Sequence, residues 1–371
     1  MTDDKYRGTV EDLVYLLSCT VNGAPVDGVR AGTMDLSALY EIADRHLLTG
    51  ITAMALESAG IRDEAFTQAK GKAIRKVAAM DMDRAVFLDR LEQEGIWYMP
   101  LKGAVLKDLY PRLGMRQMSD NDILIDASRL NDAGAIMESM GFTCDHRTSA
   151  HSVYNRPPVS SFELHRRLFV EMEDRRLCGY YSNVKERLLP MEGKRFGYRF
   201  SDEDFYVYMV AHEYKHYIAG GTGLRSLLDT YVFCRKKAEG LDWAYVGRET
   251  DRLGITEFER RNRSLASHLF GGGSLSDEER DQLDYILGSG TYGTIQNKVD
   301  NRIRTFGGGR KGKLRYVLSR IFLPMDAVRS TFPLFAKVPV LLPFLPFYRL
   351  FLGLRDRRKR LMGEWKTLKN R

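Results

Sequence analysis

The chain has 371 residues, 44% of them apolar and 11% aromatic, enough for a sizeable core and for two or three domains. Its 57 Lys and Arg against 49 Asp and Glu give a formal charge of +8, yet residues 301–371 alone hold 18 bases and 3 acids. The other 300 residues are mildly acidic, 39 bases against 46 acids, which argues against a chain-wide nucleic-acid surface.

Cys19, Cys144, Cys178 and Cys234 are scattered with no CxxC pair, so reduced structural thiols are expected, with neither a zinc cage nor a disulfide framework. The opening MTDDKYRGTV has acids where a secretory leader needs bases, and no apolar run reaches the length of a membrane-spanning helix. A cytoplasmic protein is expected, with peripheral contact at the inner face of the membrane as an option for the basic tail.

Residues 9–93 read as helical: Leu13, Leu16 and Leu17, then Leu36, Tyr40, Ala43 and Leu47, and later Ala78, Met82, Ala85, Leu88 and Leu91 recur near helical spacing. Gly95 stops the last helix, and Ile96–Met99 changes the pattern to a short apolar strand. Lys102-Gly103 turns that strand into a helix over Ala104–Leu109, which Pro111 ends. Asp122–Ile125 predicts a second strand, and Ser128 is expected to cap a helix running to Met140. Val159–Leu168 predicts another strand, with Phe162, Leu164 and Leu168 on one side and Glu163 and His165 on the other. Helices follow over Phe205–Ile218 and Leu224–Lys237, around a Gly220-Gly221-Thr222-Gly223 turn. The expected organisation is α+β: a helical region over 1–94, a core over 95–195, a helical domain over 196–300 and a basic, proline-broken segment over 301–371.

The stretch that carries chemistry runs from Leu101-Lys102-Gly103 to Asp120-Asn121-Asp122-Ile123-Leu124-Ile125. An Asp-x-Asp opening a strand points both carboxylates to one side, because side chains alternate with period two. Hard oxygen ligands so placed suit Mg²⁺, with phosphate oxygens and water completing the octahedron. Glu163, on the polar side of the later strand, is the candidate third acid. A strand-to-helix turn at Lys102-Gly103 suits a triphosphate, since glycine lets the backbone approach and helix N-terminal amides face the anion. Lys102 and Arg116 can neutralise remaining phosphate charge. Outside this pattern the same aspartates would read as solvated or capping residues.

PLKGAVLKDLYPRLGMRQMSDNDILID resembles the uncharacterised bacterial nucleotidyltransferases of the DNA polymerase β-like superfamily. Leu101-Lys102-Gly103, Tyr110-Pro111, Arg116 and Asp120/Asp122 match that family's turn, Tyr-Pro, arginine and Asp-x-Asp strand. FELHRRL looks like its third-acid strand, mapping to Glu163 and His165. AHEYKHY and LRSLLDTY look like its helical elements, mapping to His212, Lys215, His216, Arg225 and Asp229. The resemblance spans about residues 95–235. It implies a small mixed-sheet nucleotidyltransferase core with helical flanks, Mg²⁺ on Asp120, Asp122 and Glu163, and an NTP (ATP by default) held by Lys102, Gly103, Arg116 and Ser119. It further implies transfer of an NMP group to an unknown acceptor. His165, His212, Lys215 and His216 are candidates to line the acceptor or phosphate cleft. Three departures stand out: Ala104 follows Gly103 where the superfamily has serine, the gap from Gly103 to Asp120 is longer than usual, and Asn121 is polar where an apolar residue is common.

His212-Glu213-Tyr214-Lys215-His216 also matches HExxH, the zinc-peptidase pattern of two histidines and a general base on one helix. The metzincin extension would need a glycine three residues after His216 and a histidine six after it, where Ala219 and Thr222 stand; Glu239 follows Lys236-Lys237 at an apparent helix end. Phe205, Met209, His212 and His216 fall on one helical stripe, so both imidazoles are expected to face inward. Arg225 and Asp229, four apart, are expected to form a helix-surface or inter-helix pair.

In the tail, Arg310-Lys311-Gly312-Lys313-Leu314-Arg315 and Arg355-Asp356-Arg357-Arg358-Lys359-Arg360 bracket an apolar segment, and five of the eleven prolines fall between residues 324 and 346. Bases flanking an apolar stretch suit an anionic membrane surface across 310–360; the alternative is packing across the body. The competing functional classes are a magnesium-dependent nucleotidyltransferase, a non-catalytic nucleotide-binding or membrane-surface adaptor, and a zinc metallopeptidase.

Overall fold

The computed structural model describes residues 3–356 apart from 149, 171–173, 324, 326, 327, 330 and 331. The Arg357-Arg358-Lys359-Arg360 run therefore lies outside the described residues. The chain divides into two units: residues 1–212 with 224–284, and residues 213–223 with 285–371.

The first unit opens with five helices, α1 (Asp3–Asn22), α2 (Gly28–Gly32), α3 (Leu36–Arg45), α4 (Thr49–Ser58) and α5 (Glu64–Gln93). Aspartates start three of them. Asp27 accepts from the Val29 and Arg30 amides, Asp35 from Ala38 and Asp63 from Phe66, satisfying amides that a helix N-terminus leaves without intrahelical partners. Helix α4 is buried all round from Thr49 to Leu56 and packs against α1 and α5.

A five-stranded mixed sheet follows, built from β1 (Tyr98–Pro100), β2 (Asn121–Ile125), β3 (Thr143–Arg147), β4 (His151–Arg156) and β5 (Ser160–His165) in the order β1-β2-β5-β4-β3. Only β2 and β5 run parallel, and that pair puts Asp122 beside Glu163. The neighbouring β4 and β5 are antiparallel, with His151 opposite His165. One face of the sheet is sealed by α5 and by α7 (Leu130–Ser139): Phe87, Leu91, Leu130 and Met137 pack on Ile123, Ile125, Tyr154, Phe162 and Leu164. Strand alternation then throws Asp122, Glu163 and His165 to the opposite face. Asn121, the polar departure in the sequence pattern, is fully buried and satisfied. Its Nδ2 donates to Met80 O at 3.0 Å and its Oδ1 accepts from Arg84 Nη1 at 2.8 Å, fastening β2 to α5.

Three local expectations change. The helix after Lys102 is shorter than predicted, α6 (Lys102–Leu106), and tightens into a 3₁₀ turn over Lys107–Leu109. Ser128 does not cap α7; its amide and hydroxyl donate to Asp126 Oδ1 at 2.9 and 2.6 Å, and α7 carries no side-chain cap. The β3–β4 hairpin stands where the periodicity predicts no strands.

After α8 (Arg175–Tyr180) and a two-stranded ribbon of β6 (Leu189–Pro190) and β7 (Tyr198–Arg199), the chain is helical. The predicted pair appears as α9 (Asp202–Gly220) and α10 (Leu224–Lys237), with α11 (Trp243–Leu253), α12 (Thr256–Gly271) and α13 (Asp277–Ser289) following; α10 packs on α12.

In the second unit, α14 (Ile295–Thr305) packs on α15 (Gly309–Ile321) through Val299, Ile303 and Tyr316. A Cβ at Gly312 would lie 2.5 Å from Ile303 O, so the glycine sets the approach of these helices. The proline-rich stretch forms a short helix Pro333–Lys337, a 3₁₀ turn Pro339–Phe344 and a helix Leu345–Asp356. Among the described residues no helix is long and apolar enough to cross a membrane.

Candidate active site

The half-buried face of β2 and β5, opposite the one that α5 and α7 seal, gathers the predicted acids. Asp122 and Glu163 are register partners on parallel strands, and Asp120, just before the start of β2, feels the charge of both. Burial first, then the like charges of Asp122 and Glu163, push the Asp120 carboxyl up to about 7, while Arg225 and His165 pull it the other way. His165 Nε2 is 2.9 Å from Asp122 Oδ1 and 3.5 Å from Glu163 Oε2. The Leu101 amide donates to Asp122 O at 2.9 Å, which fastens the turn entering Lys102-Gly103 to the acidic strand.

Several cations stand around these acids. Arg116 is buried, with Nε and Nη2 donating to Asp229 Oδ1 and Oδ2 at 2.8 and 2.9 Å and Nη1 donating to Gly103 O at 3.4 Å. Tyr110 Oη donates to the same Asp229 Oδ1 at 2.8 Å. Burial alone would raise the Asp229 carboxyl, but the Arg116 charge and hydrogen bonds, with Lys102 and Arg225 behind them, hold it below the usual range. The i,i+4 partner expected for Asp229 is thus replaced by a residue 113 positions earlier in the chain, and Arg225 Nη1 donates instead to Gln117 O at 3.0 Å. Lys76 on α5 donates to Ser119 O at 2.9 Å; burial lowers its ammonium from its ordinary value and the Asp120 charge offsets part of that. Lys102 is half-buried.

Two contributors escaped the sequence reading. His151 sits opposite His165 with their rings 5.3 Å apart, and its Nε2 is 3.9 Å from Glu163 Oε2. Lys76 lies 44 residues before Asp120 on a helix whose charged face carries no motif. Of the second group of candidates, His212 is half-buried with its ring 5.9 Å from that of Tyr208, whose phenol feels the Asp122 charge. His216 is exposed, against the expectation that both imidazoles face inward, and Lys215 is half-buried; both belong to the second unit. Among the described residues, the group of three spaced to hold a metal ion is His151, Glu163 and His165, and it includes none of His212, Glu213 and His216.

The molecule is an α+β protein that carries an acidic patch on one face of a small mixed sheet. A family model described as an uncharacterised nucleotidyltransferase matches residues 32–271, more than half the chain, and the chain belongs to that family. Its general role is accordingly nucleotidyl transfer. No curated protein and no solved structure matches the chain significantly.

Proposed function

We propose that the protein is a magnesium-dependent nucleotidyltransferase that moves an NMP group from an NTP, ATP by default, to a hydroxyl-bearing acceptor. The observation that carries this reading is the pairing of Asp122 with Glu163 across parallel strands, with the Leu101 amide fastening the Lys102-Gly103 turn to Asp122 and with Asp120 close enough to feel both acids. Burial, with the like charges of Asp122 and Glu163 added to it, raises the Asp120 carboxyl, and a cation among the three acids would relieve both. An oxygen-only donor set of this kind fits Mg²⁺, which when bound supplies charge neutralisation at the α-phosphate.

The acceptor oxygen attacks the α-phosphorus, the bond from that phosphorus to the oxygen bridging to the β-phosphate breaks, and pyrophosphate leaves with the electron pair. Glu163 takes the hydroxyl proton. Lys102 and Ser119 line the phosphates beside Gly103. Arg116 donates from Nε, Nη1 and Nη2 to Asp229 and Gly103 O, so its part is to hold the turn in place while Lys102 meets the triphosphate. His165 orients Asp122 through the 2.9 Å contact.

Incubation with each α-labelled NTP, Mg²⁺ and cell extract tests the reading by identifying what becomes labelled. Label transfer with pyrophosphate release, lost in Asp122→Asn and Glu163→Gln at unchanged fold, is expected. Unchanged turnover in Asp122→Asn overturns the site, and NTP binding without pyrophosphate release makes the protein a nucleotide-binding adaptor instead.

A second proposal concerns location: the segment from α15 to residue 356 docks on an anionic bilayer. On α15, Leu314, Val317, Leu318 and Ile321 follow i, i+3, i+4, i+7 spacing and are all exposed, while Gly312 and Tyr316 on another face are buried. Farther on, Leu334, Val340, Phe344, Phe347 and Phe351 are each more than 60% exposed. With 18 bases against 3 acids over 301–371, the complementary surface is one of negatively charged lipid headgroups above an apolar layer.

A further inference from the structure

We infer that His151, Glu163 and His165 form a binding site for a transition-metal dication of the zinc or manganese class, adjoining the oxygen site proposed at Asp120, Asp122 and Glu163 and sharing Glu163 with it. The strands build it. β4 and β5 place His151 directly opposite His165, and Glu163 is two residues before His165 on the same face. Glu163 Oε2 lies 3.5 Å from His165 Nε2 and 3.9 Å from His151 Nε2, and one ligand atom from each of the three residues lies within 4.8 Å of the other two. A tetrahedral ion with bonds of about 2.0–2.2 Å spaces its ligands about 3.3–3.6 Å apart. The three atoms thus already stand close to the edges of such a polyhedron, and small side-chain rotations close the rest.

Donor chemistry separates this site from its neighbour. Mg²⁺ takes oxygen ligands and keeps its waters, whereas two imidazoles and one carboxylate suit Zn²⁺, Mn²⁺ or Fe²⁺ and leave a coordination position open. All three side chains are between 17% and 29% exposed, open enough for an ion to enter and sheltered enough to hold their geometry. The two sites are linked through one imidazole. His165 Nε2, the atom that would ligate, is the same atom that contacts Asp122 Oδ1 at 2.9 Å, so an ion on His165 removes that hydrogen bond from Asp122. Zinc chemistry in this chain is thereby assigned to a sheet face whose residues no local motif connects, and not to the HExxH pentapeptide. The site shares Glu163 with the proposed catalytic trio, but its existence does not depend on nucleotidyl transfer.

The test is metal stoichiometry on the full-length protein, stripped with chelator and re-equilibrated with Zn²⁺ or Co²⁺ in millimolar Mg²⁺. One transition ion per chain is expected, with visible Co²⁺ bands of a nitrogen-containing, low-coordinate site. His151→Gln is expected to weaken binding at least tenfold with an unchanged melting curve in chelator, while Asp120→Asn and the pair His212→Ala, His216→Ala keep the ion. Absence of a stoichiometric ion in the wild type, equal binding in His151→Gln, or loss of the ion in the His212/His216 variants overturns the inference. Because the readout is bound metal, these results stand apart from the label-transfer assay, where failure of Mg²⁺-dependent turnover would overturn only the catalytic reading.

Discussion

Arg116 and Asp229, from a loop before β2 and from the middle of α10, meet in a buried two-pronged ion pair with Tyr110 as a third member. Both side chains are nearly inaccessible, at 5% and 1%. Fork-to-carboxylate geometry satisfies both oxygens of Asp229, which is the condition under which a buried pair is tolerated. Since Nη1 of the same guanidinium reaches Gly103 O, the pair ties α10 to the proposed phosphate turn.

Removing one partner strands the other charge in the interior. Asp229→Ala is expected to destabilise the first unit by about 3–5 kcal/mol, whereas Tyr110→Phe, which removes one hydrogen bond, costs about 1 kcal/mol. Denaturant midpoints with an unchanged slope measure both. Equal, small losses for the two variants would show the pair to be solvent-accessible in solution.

The Asp120 carboxyl makes the site a source of instability as well as of function. Its value rises from 3.8 to about 7 in the folded chain, so between those pH values the native state binds more protons than the unfolded state. Stability therefore falls as pH rises from about 4 to 7, and the penalty persists above 7. The shift corresponds to at most about 4 kcal/mol. In chelator, Asp120→Asn is expected to raise Tm at pH 8 by several degrees, with the gain fading near pH 4. A gain independent of pH, or a loss at pH 8, would show that burial and the neighbouring acids do not hold the Asp120 carboxyl up in the folded chain.

Much of this arrangement is legible from local pattern, and what is not has definite causes. The alternation in Ser160–His165 is strict, buried then half-buried, and it separated Glu163 and His165 from Phe162 and Leu164 correctly. The hairpin before it gave no such signal. Four of the five residues of β3 are exposed, and β4 buries Ser152, Val153 and Tyr154 in succession, so neither shows period two and His151 passed unnoticed. The partner of Arg116 was equally hidden, because an ion pair spanning 113 residues leaves no mark on spacing, whereas Asp229 at i+4 from Arg225 suggested a local pair. Asn121 looked like a departure from the pattern only because its acceptor, Met80 O, lies 41 residues away on α5.

Gly312 offers a test in which two effects oppose each other. Alanine inside a helix ordinarily gains about 1 kcal/mol over glycine. Here the new Cβ would stand 2.5 Å from Ile303 O and 3.2 Å from Ile303 Cγ2, and backbone cannot rotate out of the way. Overpacking costs about 1–3 kcal/mol, so the clash wins. Gly312→Ala is expected to speed proteolysis within Gly309–Ile321 and lower the melting temperature. A more stable variant would show that α14 and α15 are not closely packed in solution.

Docking of the α15–356 segment predicts a combined dependence on charge and apolar contact. Sedimentation with vesicles containing phosphatidylserine is expected to carry the protein down, and neutral phosphatidylcholine vesicles should carry much less. Each base near an anionic surface contributes about 1 kcal/mol, screened within a Debye length of about 10 Å at 0.1 M salt, so added salt should release the protein. The apolar component is separable, because burying a phenylalanine is worth about 1.5–3 kcal/mol when complete. Phe344→Ser with Phe347→Ser should therefore cut partitioning at least tenfold at constant charge, and neither change should alter the melt, since both rings are more than 60% exposed. If the double variant sediments like the wild type while salt still releases both, the bases alone hold the lipid and the exposed rings serve another contact. If neither salt nor substitution matters, this face does not meet a bilayer at all.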